Sequence, residues 1–381
     1  MMEKRRLKLG VMFNFDPSWM GGIIYIINIV KTLNFLDDED KPEITLFYKP
    51  RLKRFLEEFD YPYIHMVEHD YPSLISGNIK SMILRKNLFI NDILKEHKLD
   101  VIYPLQDYPV RTKTDVKLIS WSADFQHKHY PEFFSRKQRL GRNTRVKNAL
   151  RNTDDLVLSS HDAHKDLERF FKVRKGLNIH IYHFVSIIEE MVMEGIEKLR
   201  EKYNLPERYF LVSNQFHKHK NHRVLFQTQA RLKEKGVRIH LAITGKFPDA
   251  SDSPYMTELH NSINENQLAD QISMMGIISR SDQLQLMRHS QAVIQPSLFE
   301  GWSTVIEDAR SLQVPVIAAS LGVNIEQLGE DHGYFDPHNP DELASILKDY
   351  PERNLDESHY EEYSVRVKEA ATTLMRIFKT S

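Results

Sequence analysis

The sequence predicts an α/β protein made of two doubly wound parallel-sheet domains facing a central cleft. Three observations carry that prediction. Short apolar runs alternate with helix-length amphipathic stretches, the pattern of repeated β-α-β units. A polar, helix-prone segment, "EEMVMEGIEKLREKYNLPER", breaks the alternation near 187–206, and Pro206 ends it. The same alternation then restarts, and a chain of 381 residues is too long for one ordinary core.

In the first half the expected strands are "LKLGVMFNF" (7–15), "EITLFYK" (43–49), "YIHMVEH" (63–69), "VIYPL" (101–105), "VKLISWS" (116–122), "DLVLSS" (155–160) and "IHIYHFV" (179–185). In the second half they are "YFLVSN" (209–214), "IHLAITG" (239–245), "ISMMGII" (272–278), "QAVIQP" (291–296) and "VPVIAAS" (314–320), each followed by a helical stretch. "HNPDELASIL" places an Asn cap before Pro340 and acids in the first turn, so a helix starts there. "HYEEYSVRVKEAATTLMRIF" reads as a long terminal helix. The expected organisation is a first domain over 1–187, a linker over 188–206, a second domain over 207–355 and a terminal helix over 356–381 that packs back toward the first domain. Such sheets bind ligands at the carboxyl ends of their strands.

Composition narrows the chemistry. The chain is 41% hydrophobic and 28% charged, with 52 Lys+Arg against 53 Asp+Glu, so no global field draws in nucleic acid. It has no cysteine, which excludes disulfides, thiolate metal sites and cysteine nucleophiles and fits a reducing compartment. "MMEKRRLKLGVMFNF" lacks the apolar segment and cleavage site of a signal peptide, and the longest apolar run, "GGIIYIINIV", is about half of what a bilayer crossing needs. The expectation is a soluble cytoplasmic protein, at most resting on the inner face of a membrane.

"QPSLFEGWSTVIEDARSLQVPVI" (295–317) holds two acids, Glu300 and Glu307, around a Gly-Trp-Ser-Thr turn. A strand exits into this turn and a helix starts at Ser303 and Thr304, where free N–H groups form an anion site. Glu300 can accept hydrogen bonds from sugar hydroxyls. Glu307 can take the vicinal hydroxyls of a ribose, or it can close a capping box from Thr304 and merely tie down the helix entrance. "SNQFHKHKNHRVLF" (213–226) offers Lys218, Lys220 and Arg223 in a loop feeding a helix, a place for a diphosphate or simply a solvated basic loop. A metal set from His217, His219 and His222 is opposed by these lysines and by the lack of a carboxylate. Gly21 and Gly22 follow the first strand, where they serve either a tight turn or the close approach of a ligand to a helix N-terminus. "SWSADFQHKHYPEFF" (120–134) brings Asp124, His127 and His129 to a strand exit, with His127 the first choice for a ligand contact and a loop-holding hydrogen bond the alternative. Arg136–Arg151 carries seven bases and no acid, suited to anionic lipid or a lipid diphosphate, or to a solvated face.

"PSLFEGWSTVIEDARSLQVPVI" resembles the glutamate-pair motif of the retaining glycosyltransferases of family 4. "MGIISRSDQLQLMRHSQAVIQPS", "GYFDPHNPDELASIL" and "GGIIYIINIV" extend the likeness over most of the chain. The resemblance implies a GT-B architecture of two Rossmann-like domains. It further implies that Glu300 holds the donor sugar and Glu307 the nucleotide ribose, although the two acids stand one residue closer than the family's usual spacing. Lys220 matches the family's diphosphate lysine. Gln215 stands where its arginine would be, with Lys218 available to supply the second charge. Gly21, Gly22, Gly245, Ile278, Ser303 and Thr304 fall on the donor side. Ala123 replaces the family's histidine before Asp124, and His127 is taken as its substitute.

The activity implied by the resemblance is that of a metal-independent, cofactor-free transferase, since the cations do the work of a metal and the second half has no Asp-x-Asp pair. It would move a hexosyl group from a nucleotide sugar, UDP-glucose ahead of GDP-mannose, to a glycan or lipid-linked acceptor in surface polysaccharide synthesis. Two alternatives remain open: a nucleotide-sugar epimerase of the same fold, and a non-catalytic nucleotide-sugar-binding subunit.

Overall fold

Seven of the apolar runs pair into one sheet: β1 (Lys8–Phe13), β2 (Glu43–Tyr48), β3 (Ile64–Glu68), β4 (Val101–Leu105), β5 (Lys117–Ser122), β6 (Asp155–Leu158) and β7 (Asn178–Ile181). Their order is β3-β2-β1-β4-β5-β6-β7, with every neighbour parallel. The central strands β1, β4 and β6 are buried along nearly their whole length, so they read as continuous apolar runs rather than alternating ones. The computed structural model describes residues 5–17, 19–188, 195–248 and 253–380.

The second sheet contains β8 (Phe210–Ser213), β9 (Leu241–Thr244), β10 (Ile272–Gly276), β11 (Val293–Gln295), β12 (Val316–Ala319) and β13 (Gly333–Phe335), ordered β10-β9-β8-β11-β12-β13 and again parallel throughout. Alternate side chains of each strand serve opposite faces. Phe210 and Val212 join Ile243, Ile294 and Ile317 in one core beneath the helices His222–Glu234 and Pro340–Lys348. Leu211 joins Ala242, Val293 and Val316 in the other, beneath Arg280–Arg288 and Thr304–Ser311. Helices therefore cover both faces, as a doubly wound sheet requires.

All twelve expected strands form, most of them trimmed at one or both ends; Val101–Leu105 keeps its expected bounds and Asn178–Ile181 starts one residue earlier than expected. The thirteenth, β13, lies inside "GYFDPHNPDELASIL" and was not anticipated. A three-residue strand opening on glycine has no periodicity to read, and pairing with β12 is what makes it one.

The chain divides into two units, Met1–Ile187 with Ser364–Ser381, and Ile188–Tyr363. Of the expected linker, residues 189–194 lie outside the described residues, and Ile196–Tyr203 is a helix of the second unit. The terminal helix runs over Tyr363–Lys379, later than the expected 356. The delay has a local cause, because the preceding segment is tied to the second unit. The Gln313 side-chain oxygen accepts from the N–H groups of His359 and Tyr360, and Arg353 donates to the carbonyls of Arg288, Ser290 and Gln313. The helix itself packs in the first unit, where Phe378 meets Tyr103 at 5.6 Å between rings and Lys117 donates to the Ile377 carbonyl at 2.7 Å. Among the described residues no helix is long and apolar enough to cross a membrane.

Candidate functional site

In the second sheet the strand order reverses between β8 and β11. At such a reversal the loops leaving the two strands part to opposite sides and open a crevice at their carboxyl ends. The residues that fill those two loops are the ones the sequence singles out. After β8, Lys218–Lys220 form a single tight turn, and Asn221 takes a left-handed conformation (φ 56°) that redirects the chain into the helix His222–Glu234. The Asn221 amide donates to the carbonyls of Pro296 and Pro337, and the Leu298 N–H donates to the His219 carbonyl at 2.7 Å. The two loops are stitched together, and across the stitch Lys220 Nζ lies 2.6 Å from Glu300 Oε1. The pair is only partly exposed, so water weakens it less than it would a surface pair.

A chain of hydrogen bonds runs inward from this pair. Gln295, the last residue of β11 and fully buried, donates from Nε2 to Glu300 Oε1 (2.8 Å) and to Ser303 Oγ (3.1 Å), while its Oε1 accepts from Asn214 at 2.8 Å. Gln327 continues it. Its Oε1 accepts the Ser303 N–H (3.1 Å), and its Nε2 donates to the Ser303 carbonyl (2.9 Å) and to Glu307 Oε1 (2.8 Å). Arg310 closes the chain on Glu307 Oε1 at 2.8 Å. Lys220, Glu300, Gln295, Ser303, Gln327, Glu307 and Arg310 thus form one continuous network. Gln295 and Gln327 were not anticipated. A glutamine inside an otherwise apolar strand was the available signal for Gln295, whereas Gln327 comes from a separate helix and carried none.

The geometry corrects the capping-box alternative for Glu307. The cap is Ser303, whose Oγ accepts the Ile306 N–H. Glu307 therefore sits one position too late to reach back to the cap, and its carboxylate turns into the interior, where it is fully buried. Ser303 is corrected too. Its N–H is taken by Gln327, so of the expected anion-binding pair Thr304 is the one whose N–H points out of the helix start with no protein acceptor among the described residues.

Around this core, Lys218 and Gln215 are exposed at the surface of the loop, and Arg223 pairs with Glu258, away from the lysines. His222 is fully buried and stacks on Phe216 at 4.0 Å. Burial first, and Lys220 second, push its pKa down to about 3, so the ring is neutral. Gly245 follows β9 at φ 143°, and a Cβ there would stand 2.2 Å from the Asn214 carbonyl oxygen. Only glycine lets the two loops approach so closely. Gly245→Ala is expected to lower the unfolding free energy of the second unit by about 3 kcal/mol, read from the denaturant midpoint; an unchanged midpoint would mean that the loops are not packed this way. Ile278 is half-buried against the second core, beyond the exposed Ile277.

The first-unit candidates are placed differently. Gly21 and Gly22 open the helix Met20–Leu33, and a Cβ on Gly22 would strike the rings of Trp19 and Phe15. The space over this glycine is filled by Trp19, whose indole stacks on Trp121. Asp124 is ion-paired with Arg142. His127 is buried, with Nε2 at 3.1 Å from the Asn143 side-chain oxygen and Nδ1 accepting from Arg142 Nε at 3.3 Å. Burial holds its pKa below the usual range. With both nitrogens occupied, the ring fastens the loop to the helix Arg136–Asn152 as it stands, in place of the ligand contact first chosen for it. His129 pairs with Asp166 at 2.7 Å. Two of the bases of Arg136–Arg151 are engaged within the unit, Arg142 with Asp124 and Arg145 with Asp107.

Residues 195–371 match the family described as "Glycosyl transferases group 1". EpsF of Bacillus subtilis (strain 168), named as a glycosyltransferase, is 31% identical over 102 residues; that stretch is 27% of this chain and 24% of EpsF, so the match spans about a quarter of either protein. Among solved structures, HepE of Anabaena in complex with UDP-glucose superposes with a TM-score of 0.65 at 18% identity, covering 97% of this chain and 99% of that one. Sucrose-phosphate synthase from Thermosynechococcus elongatus superposes at 0.62 and 13% identity, covering 98% and 94%. These likenesses establish the fold as GT-B, two Rossmann-like parallel-sheet units. The family match, over residues 195–371, takes in β8 to β13 and the whole Lys220–Glu300–Glu307 network, so the candidate site lies within the part of the chain that resembles the glycosyl transferases group 1 family.

Proposed function

We propose that the protein is a retaining, metal-independent hexosyltransferase of the family 4 kind, using UDP-glucose, or failing that GDP-mannose, as donor. The observation that carries the proposal is the Lys220–Glu300 pair at the carboxyl-end reversal of the second sheet, beside the helix start at Thr304. A cation and a carboxylate held 2.6 Å apart suit a ligand with an anionic half and a hydroxyl-rich half. Lys220, with Lys218 and the Thr304 N–H, would meet the diphosphate, Glu300 the sugar hydroxyls, and Glu307 the ribose; Gly245 and Ile278 would border the nucleotide. In transfer, the bond from the sugar C1 to the diphosphate oxygen breaks while the acceptor oxygen bonds C1 on the same face. The acceptor's proton passes to the departing phosphate oxygen. Negative charge grows on that oxygen, and preorganised cations lower the barrier by meeting it there. The acceptor is taken to be a glycan or lipid-linked hydroxyl in surface polysaccharide synthesis on the cytoplasmic side of the membrane, where Arg136–Arg151 would supply positive charge.

A thermal-shift screen of nucleotide sugars tests this directly. A donor present at 100 times its Kd adds about 2.7 kcal/mol of stability, and no shift with any nucleotide sugar would refute donor binding. Glu307→Gln is expected to weaken the donor about tenfold while costing about 1–2 kcal/mol of stability as the charge facing Arg310 is lost. Lowered stability with unchanged donor affinity would make Glu307 purely structural.

A further inference from the structure

The helix Leu74–Leu84 in the first unit is built inside out. Its buried positions are the small residues Gly77 and Ser81, one helical turn apart. A Cβ on Gly77 would meet Phe89 and Pro72 at 2.8 and 2.9 Å, so the helix lies hard against the body along this small-residue edge. At 100° per residue, Ile75, Ile79, Met82 and Ile83 fall within about 100° of arc centred opposite that edge. They are 64%, 54%, 49% and 74% exposed, and Leu74 and Leu84 at the two ends are exposed as well. One short helix thus contributes six of the large apolar side chains found at the surface, four of them on a single outward stripe, whereas singly scattered ones need no explanation.

The charges beside this stripe say what covers it. Lys80, Arg85 and Lys86 are exposed on the helix and at its carboxyl end, and from Tyr71 to Asn91 the sequence contains no acid. A second copy of the chain docking face to face by a two-fold axis would set these bases against their own counterparts, which is repulsive. A surface that is apolar below and anionic above satisfies both features at once: the isoleucines enter the acyl boundary and the bases meet phosphate head groups.

We propose that Leu74–Leu84 is an interfacial helix that seats the first unit on an anionic lipid membrane. Membrane binding is measured without turnover, so its failure and a failure of the transferase reading are separate outcomes.

The test is co-sedimentation of the full chain with vesicles of equal parts phosphatidylglycerol and phosphatidylcholine, compared with pure phosphatidylcholine. The wild type should partition to the anionic vesicles and much less to the neutral ones. Ile79→Asp with Ile83→Asp should reduce partitioning at least tenfold at unchanged Tm, since neither side chain is buried in the fold. Lys80→Gln, Arg85→Asn and Lys86→Gln together should reduce it about a hundredfold at low salt; asparagine keeps the left-handed conformation that Arg85 adopts (φ 50°). No binding by the wild type, or binding unaffected by the two aspartates, would overturn the proposal. So would a dimer in sedimentation equilibrium that the aspartates dissolve, because the face would then belong to a second copy.

Discussion

Lys220→Met should lower kcat for sugar transfer about a thousandfold, with a much smaller loss in donor affinity. The asymmetry arises from where charge develops. In the proposed reaction the ground-state diphosphate would already carry its charge, shared by Lys218 and the helix start. As the C1–oxygen bond breaks, new charge gathers on the leaving oxygen, and a cation held by Glu300 at 2.6 Å needs no reorganisation to meet it. Lys220→Arg should restore part of kcat, since it keeps the charge while changing its shape. Stopped-flow or steady-state kinetics with the donor found in the thermal screen would read both variants. Equal losses in donor Kd and in kcat would mark Lys220 as a docking residue. A fall in stability with kcat intact would mark it as no more than the partner that neutralises Glu300.

The second large effect is on the network itself. Gln295→Met is expected to remove about 3 kcal/mol of stability from the second unit. The volume is nearly kept, so the cost is not a cavity. It comes from buried groups losing partners: the Asn214 amide loses its acceptor, and Glu300 and Ser303 lose a donor. These losses share one network and do not add as independent terms. Urea unfolding followed by tryptophan fluorescence and circular dichroism should show the second unit's transition moved to lower denaturant while the first unit's transition stays, because the two units carry separate cores. Transfer activity should fall too, since Glu300 would keep its ion pair but lose the amide that aims it. An unmoved midpoint would mean that the glutamine does not hold these groups together.

Both predictions draw on residues of unequal visibility. Glu300 stood out in the sequence because an acid at a strand exit has no packing purpose, and Lys220 because it lies in a basic loop feeding a helix and matches the resembling family's diphosphate lysine. Gln295 did not, although it is the residue on which the two loops depend. Its polar amide inside an apolar strand was the one sign of it, and its role lies wholly in partners 81 residues before it and 8 residues after it. Glu307 was visible, but its surroundings were not. One residue of difference in the cap, Ser303 for Thr304, moves its carboxylate from the helix entrance to the interior. The histidine loop shows the same limit, since nothing near His127 in sequence announces that Arg142 and Asn143 will occupy both of its nitrogens.

Twelve strands and two sheets were legible because they rest on local physics. Apolar runs buried on both faces, amphipathic stretches between them and a polar break leave one architecture that covers every apolar face. The direction of each crossover could not be read that way, and it is the reversal between β8 and β11 that creates the crevice holding Lys220 and Glu300. The outward face of Leu74–Leu84 belongs to the same class. Periodicity gives a helix its stripe, but which side of the helix meets the body was decided by Gly77 closing on Phe89 and Pro72, a tertiary contact that no local pattern encodes.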